Sequence, residues 1–172
     1  MKSRYWLFYI AIAALQVLLG NFLNLGQYVT LCLLPLLIVS LPLGYSAILS
    51  MAIAFATAMA TDFLTHGILG LSAVALLPVA FMRRWIAGAV FGGETLSRGD
   101  EISRQKQGTL KMSLAILIAT AVYFAVFVWV DAAGTRSFGF NLIRWLASTV
   151  ASTIVEIPLS GLISSEEEGR WK

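Results

Sequence analysis

Six apolar runs separated by short polar stretches restrict this chain to a helical membrane protein. The charged residues avoid these runs and cluster beside them. About 20 apolar residues are enough for a helix to cross the hydrocarbon core of a bilayer. Only 12% of the 172 residues are charged, whereas soluble domains carry about 25%. We therefore expect six membrane spans and no additional soluble domain.

The predicted fold is all-α: a single polytopic domain of six transmembrane helices, residues 1–165. The second run is short and contains Pro35, and Pro78 predicts a kink in the fourth. The first run follows Lys2 and Arg4, and we interpret it as a retained helix and not a cleaved signal peptide. The predicted helices cover about 5–23, 28–43, 45–64, 68–90, 112–130 and 138–163, with a polar loop at 92–111 and a polar tail at 166–172.

The positions of the Lys and Arg residues predict the orientation of these helices. With six spans and a cytoplasmic N-terminus, only Arg136 and Arg144 of the 12 Lys and Arg residues fall outside. Basic residues concentrate on the cytoplasmic side of membrane proteins. We therefore expect both termini and the loop at 92–111 to be cytoplasmic. Because topology accounts for the positive charge, no nucleic-acid partner is expected.

The stretch from Met51 to Trp85 combines an isolated acid, a tight turn and a face of small residues. Asp62 ends the third helix, and the turn contains His66, the only histidine, together with Gly67 and Gly70. The third helix also carries small residues at four-residue spacing, which suits close helix contact in lipid. We interpret this face as packing inside the protein, or alternatively as an oligomer seam. Its members are Ala52, Ala56 and Ala60.

Two ion pairs are predicted because a charge inside a span usually has a partner. Asp62 and Arg144 both fall near the outer ends of their helices and form the first candidate pair. Glu156 lies about 18 Å deeper than Arg144 on the same helix, from 12 residues at about 1.5 Å each. It forms the second candidate pair with Arg83 or Arg84. For Asp62, contact with a partner or ligand stays open as an alternative.

Several polar and glycine residues form a candidate surface for a partner or ligand at the outer side. The structural interpretations of these residues are helix-to-helix hydrogen bonds and turn caps. For His66 the structural interpretation is an interfacial turn residue, and the alternative is a metal ligand or proton relay. No catalytic motif is present, so no catalytic, cofactor or metal residues are predicted and the chain is not expected to be an enzyme. The candidate surface consists of Gln16, Asn21, Asn24, Asp62, His66, Gly67, Gly70, Trp129 and Asn141.

The chain resembles the rod shape-determining protein MreD family. The run from Leu15 to Tyr28, LQVLLGNFLNLGQY, is similar to that family's first helix, with a Gln in the span and a short polar turn after it. Asp62 near the end of the third helix, followed by Leu69-Gly70 and a small and apolar helix, is the second resemblance. The family usually has a Gly four residues before that Asp, where this chain has Ala58. The third is the architecture, with one basic loop and a short charged tail.

The resemblance implies a non-enzymatic scaffold of the cell-elongation machinery in the bacterial inner membrane. Its partners would be an MreC-like single-span protein, MreB-like filaments and the RodA–transpeptidase complex, which extend side-wall peptidoglycan, together with membrane lipid. A second resemblance gives a different function. The substrate-binding S components of energy-coupling-factor transporters are also six-helix proteins of this size, and they capture a vitamin or metal at the outer face. Their first helix typically has Ala at four-residue spacing, whereas this chain has Ala11, Ala13 and Ala14.

Overall fold

The computed structural model describes residues 2–23, 26–42, 44–65, 68–92 and 108–164, and in these ranges every regular element is a helix. Five of the helices are long and apolar enough to cross a membrane. The predicted all-helical, multi-pass character of the chain is therefore confirmed. The helices are α1 (Lys2–Phe22), α2 (Leu34–Val39), α3 (Ala47–Leu64), α4 (Leu71–Phe91), α5 (Thr109–Ala132) and α6 (Phe138–Ser164).

The second predicted helix, at 28–43, is wrong in extent, because only the six residues of α2 are helical. Pro35 lies in the first turn of α2. There the missing N–H costs nothing, but a helix continuing back from Pro35 would lose a hydrogen bond and bring the ring against the carbonyl of Leu31. Residues 26–33 are not helical. All six residues of α2 are buried, and α2 contacts α1, α3, α4 and α5 in the middle of the protein.

Helices α1 and α3 run side by side in the same direction. The Tyr9 hydroxyl lies 2.8 Å from the Thr57 hydroxyl, and near the other end of both helices Asn21 Nδ2 donates to Leu64 O at 3.1 Å. Because α1 and α3 are parallel, they begin at the same end of the protein. The residues between them, 23–46, must therefore carry the chain back along its length. The described part of this return passage contains a non-helical stretch, residues 26–33, and the short helix α2.

Helix α1 approaches α3 closely at Gly20. A Cβ on Gly20 would lie 2.2 Å from Thr65 Cγ2, well inside van der Waals contact, so only glycine fits without movement of Thr65. Most of the buried core is formed by helices other than α1. The most extensive helix contacts join α3 to α4, α4 to α5 and α5 to α6, which leaves α1 largely exposed along its length.

Helix α3 begins with a side-chain cap and is followed by a glycine turn. The hydroxyl of Ser46 accepts a hydrogen bond from Leu49 N at 3.2 Å and caps the first turn, as serine commonly does. At the other end, the chain turns through Gly70, whose φ of 88° favours glycine, into α4. The predicted loop at 92–111 lies outside the described residues except for Gly92 and the residues from Gly108 onward, and the tail at 166–172 lies outside them entirely.

Candidate functional site

A row of polar side chains on α6 holds the non-helical return passage. Ser148, Ser152 and Glu156 are spaced four residues apart, so they lie on one face of the helix. They accept hydrogen bonds from backbone N–H groups that have no helical partner. The bonds run from Thr30 N to Ser148 Oγ (3.0 Å), from Cys32 N to Ser152 Oγ (3.0 Å) and from Leu36 N to Glu156 Oε1 (3.2 Å).

Gln16 on α1 is a fourth acceptor, on the other side of the return passage, and we count it as part of the row. Its Oε1 accepts a hydrogen bond from Leu33 N at 2.6 Å, and the side chain is only 9% exposed. Water does not reach the hydrocarbon core, so non-helical backbone at that depth must find its partners within the protein. The four side chains of the row therefore make the non-helical passage possible.

Glu156 is fully buried, with 0% exposure, and uses both carboxyl oxygens. Oε1 accepts from Leu36 N, and Oε2 lies 2.6 Å from the hydroxyl of Thr120 on α5. The predicted pair of Glu156 with Arg83 or Arg84 is therefore wrong. The physical reason is that the return passage of the chain needs acceptors at this depth, and the Glu156 carboxyl supplies one.

Arg83 is also buried, at 3% exposure, and it too binds groups of the chain's own fold. Its guanidinium donates to Ser50 Oγ on α3 at 3.0 Å and to Leu41 O. These bonds fix α4 to the start of α3 and to the end of the return passage. Arg84, the next residue, is exposed.

The first predicted ion pair, between Asp62 and Arg144, is also wrong. Arg144 instead pairs with Asp131 at the end of α5, and its Nη2 donates to the Thr30 hydroxyl at 3.3 Å. Arg136 lies 3.9 Å from the same Asp131 carboxylate. Asp131 and Arg144 are joined by the short turn between α5 and α6, so this pair closes the helical hairpin.

Asp62 binds the first turn of α4. Its Oδ2 accepts from Gly70 N at 3.0 Å and from Ser72 N at 3.1 Å. Backbone N–H groups at a helix N-terminus favour a negative charge. Asp62 is 6% exposed, and Oδ1 accepts no hydrogen bond from the described part of the chain. One carboxyl oxygen thus caps α4.

Asp62 lines a cavity of about 260 Å³ between α1, the return passage, α3, α4 and α5. The lining is mixed, with hydroxyl, amide and thiol groups beside leucine, isoleucine and aromatic side chains. No group of three His, Cys, Asp or Glu residues in the described ranges could hold a metal ion. The polar residues at the cavity include Gln16, Thr30, Cys32, Asp62, Ser72 and Tyr123.

The residues of the predicted outer surface do not form one patch. Gln16 and Asp62 meet at the cavity, and Gly70 lies beside Asp62. Trp129, which is 37% exposed, packs edge-on against Phe138 at 6.1 Å between ring centroids. Asn21 caps the end of α3, and Asn141 is buried at 4% exposure with an Oδ1 that lacks a partner in the described part of the chain. Asn24, His66 and Gly67 lie outside the described residues.

The small-residue face of α3 points outward, contrary to the predicted intramolecular packing. Ala52, Ala56 and Ala60 are all exposed. The buried side of α3 carries a different set of small residues, including Ala54 and Ala58, both at 0% exposure. The packing interpretation is therefore wrong for the first set, because α4 covers the opposite side of the helix.

The sequence interpretation missed Ser148, Ser152 and Asp131, although a signal for two of them is present. Polar residues at 148, 152 and 156 recur at the spacing of one helix face within an otherwise apolar run, which indicates a shared buried partner. No comparable signal marks Asp131.

Comparison with family models, curated proteins and solved structures finds no match to this chain.

Proposed function

We propose that this chain is a non-enzymatic membrane scaffold of the bacterial cell-elongation machinery, and that it binds an MreC-like single-span protein through the outward face of α3. The face is defined by Ala52, Ala56 and Ala60, and this observation carries the proposal. Small residues at four-residue spacing let a second helix approach closely. No helix in the described part of the chain covers this face.

The interior of the protein supports a scaffold because its charged groups serve the chain's own fold. Glu156 and Arg83 bind backbone groups, and Arg144 pairs with Asp131. Such contacts fix the positions of the helices relative to one another. The resemblance to the MreD family at Gln16, Asp62 and Leu69-Gly70 is the reason for choosing this machinery.

The proposed topology has six passages, both ends in the cytoplasm and a location in the bacterial inner membrane. The parallel course of α1 and α3 supports six passages, since the return passage at 23–46 adds a sixth to the five long helices. An even number places both ends on one side. The bias of Lys and Arg then makes that side the cytoplasm, where the loop at 92–111 would approach MreB-like filaments and the RodA–transpeptidase complex lies in the same membrane.

The test is capture of the partner by variants of α3. The chain is co-expressed with the MreC-like protein of the same bacterium, solubilised gently and purified. We expect Ala56→Leu to reduce the co-purified partner at least tenfold without loss of thermal stability, because the added side chain keeps the helices apart. Val150→Leu, at a position that is 55% exposed on α6, is the matched control and should change neither quantity.

A second variant separates loss of binding from loss of folding. Ala54 is fully buried on the other side of α3, so Ala54→Leu should lower stability by about 1–3 kcal/mol through overpacking. Equal recovery of the partner with wild type, Ala52→Leu and Ala56→Leu would show that the outward face of α3 is not the binding face.

The cavity beside Asp62 favours a second candidate function, capture of a small molecule as the S component of an energy-coupling-factor transporter. A cavity of about 260 Å³ with polar groups is slightly smaller than the roughly 300–1,000 Å³ of sites for drug-sized ligands. The same purification distinguishes the two functions. Recovery of a bound vitamin together with a pair of ATPases favours the second, and recovery of a single-span protein favours the first.

A further inference from the structure

The cavity beside Asp62 is partly open to the surface. Its lining comes from α1, the return passage, α3, α4 and α5. Ile68, in the turn between α3 and α4, also lines it and is 65% exposed. A small solute can therefore enter beside this turn.

The cavity has a single acidic side chain and no basic one among the described residues that line it. That acid is Asp62. The two backbone N–H groups of α4 bind Oδ2, so Oδ1 is the oxygen left for a ligand. No Lys or Arg in the described ranges lies within ion-pair distance of Asp62. In a low-dielectric site, such a carboxylate attracts a cation more strongly than it would in water.

The rest of the lining suits an ammonium group on a compact apolar body. The hydroxyl of Ser72 can accept a further N–H bond. On the other side, the rings of Tyr123 and Phe127 stack with centroids 5.5 Å apart. Aromatic faces attract organic cations and also bury apolar groups.

We propose that this cavity is a binding site for a small organic monocation, whose ammonium group binds Asp62 Oδ1 and whose apolar part packs against Tyr123 and Phe127. The proposal names the class of ligand for the second candidate function, capture of a small molecule. It rests on that function in one respect, that the cavity holds a ligand. Partner capture by α3 is a separate property, so the two proposals fail in different experiments.

Cys32 makes the charge of the cavity measurable. It is the only cysteine of the chain and lines the cavity, so every thiol modification reports on this site. The purified full chain is treated with a cationic reagent, 2-aminoethyl methanethiosulfonate, or with its anionic counterpart, 2-sulfonatoethyl methanethiosulfonate. The rates are divided by those of free 2-mercaptoethanol in the same micelles, which removes the intrinsic difference between the reagents.

We expect the cationic reagent to modify Cys32 at least tenfold faster than the anionic one after this correction. Asp62→Asn should bring the corrected ratio close to one, because the amide keeps an acceptor for α4 but removes the charge. Phenethylammonium should slow modification of the wild type, whereas 2-phenylethanol, which has the same size and no charge, should not.

Three results would each overturn the proposal. They are a corrected ratio near one in the wild type, equal protection by the amine and the alcohol, and no modification of Cys32 by either reagent. All three are measured on the wild type, so they stand even if Asp62→Asn does not fold. None of them depends on recovery of an MreC-like partner.

Discussion

Glu156 and Asp62 are both buried carboxyl groups, but their surroundings differ. Glu156 is 0% exposed, and each of its two oxygens lies within hydrogen-bond distance of a partner. Asp62 is 6% exposed and binds two N–H groups through a single oxygen. Asp62 also lines a cavity.

The difference separates a structural acid from one that can also serve a ligand. A buried polar group without a partner costs about 1–3 kcal/mol, so the fold must satisfy Glu156 completely. The cavity relaxes this requirement at Asp62, because a solute can supply the missing partner. Two carboxyl groups that look alike in the sequence thus differ in what the fold leaves open.

The predicted largest effect is at Glu156. Replacement by leucine keeps the volume but leaves Leu36 N–H without an acceptor inside the protein. We expect Glu156→Leu to lower the free energy of unfolding by about 2–4 kcal/mol, from the lost hydrogen bond and the orphaned donor. Reversible unfolding in mixed micelles measures this quantity.

Glu156→Gln is the matched control for that variant. The glutamine amide keeps an oxygen for Leu36 N–H and offers an N–H group to the Thr120 hydroxyl, so the loss should be below about 1 kcal/mol. Equal losses for the leucine and glutamine variants would contradict the role of Glu156 as an acceptor for the return passage.

A smaller effect is expected at Ser152, which belongs to the same row as Glu156. Its hydroxyl accepts from Cys32 N and lies 3.4 Å from Thr30 O. Ser152→Ala should cost about 1–2 kcal/mol, because Cys32 N–H loses its partner. Ser113→Ala on α5 is the control, since that hydroxyl donates to Leu110 O in its own helix and its loss should cost less than about 0.5 kcal/mol. A loss no larger than that of the control would show that other groups hold the passage.

Hydropathy predicted the long helices because each of them must bury its backbone polar groups in hydrocarbon. The same reasoning extended the second helix over 28–43, since an apolar run of that kind is usually helical. In the structure, Pro35 and the hydrogen-bond acceptors on α6 leave most of this run non-helical. Those acceptors come from residues about 120 positions away along the chain, and no local pattern near Pro35 records them.

The ion pairs could not be predicted from depth alone. Matching Asp62 to Arg144 by their positions along the span assumed that charges pair with charges. In the structure, Asp62 binds backbone N–H groups, which a sequence does not distinguish from one turn to another. Asp131 then pairs with Arg144 because a short turn brings α5 and α6 together. The cavity depends on five separate elements, so its existence was not visible in any one of them.

The smallest effect on stability is expected for Asp62→Asn, and this variant tests the comparison most directly. Asp62→Asn keeps an acceptor for Gly70 N and Ser72 N and loses only the interaction of the charge with the N-terminus of α4, about 0.3–1 kcal/mol. Asp62→Ala removes the cap and should cost about 1–2 kcal/mol. Both losses, measured by unfolding under the conditions used for Glu156→Leu, should be smaller than the loss in that variant. If Asp62→Asn destabilised the chain as much as Glu156→Leu, the charge of Asp62 would be required by the fold itself, and the cavity would no longer distinguish the two acids.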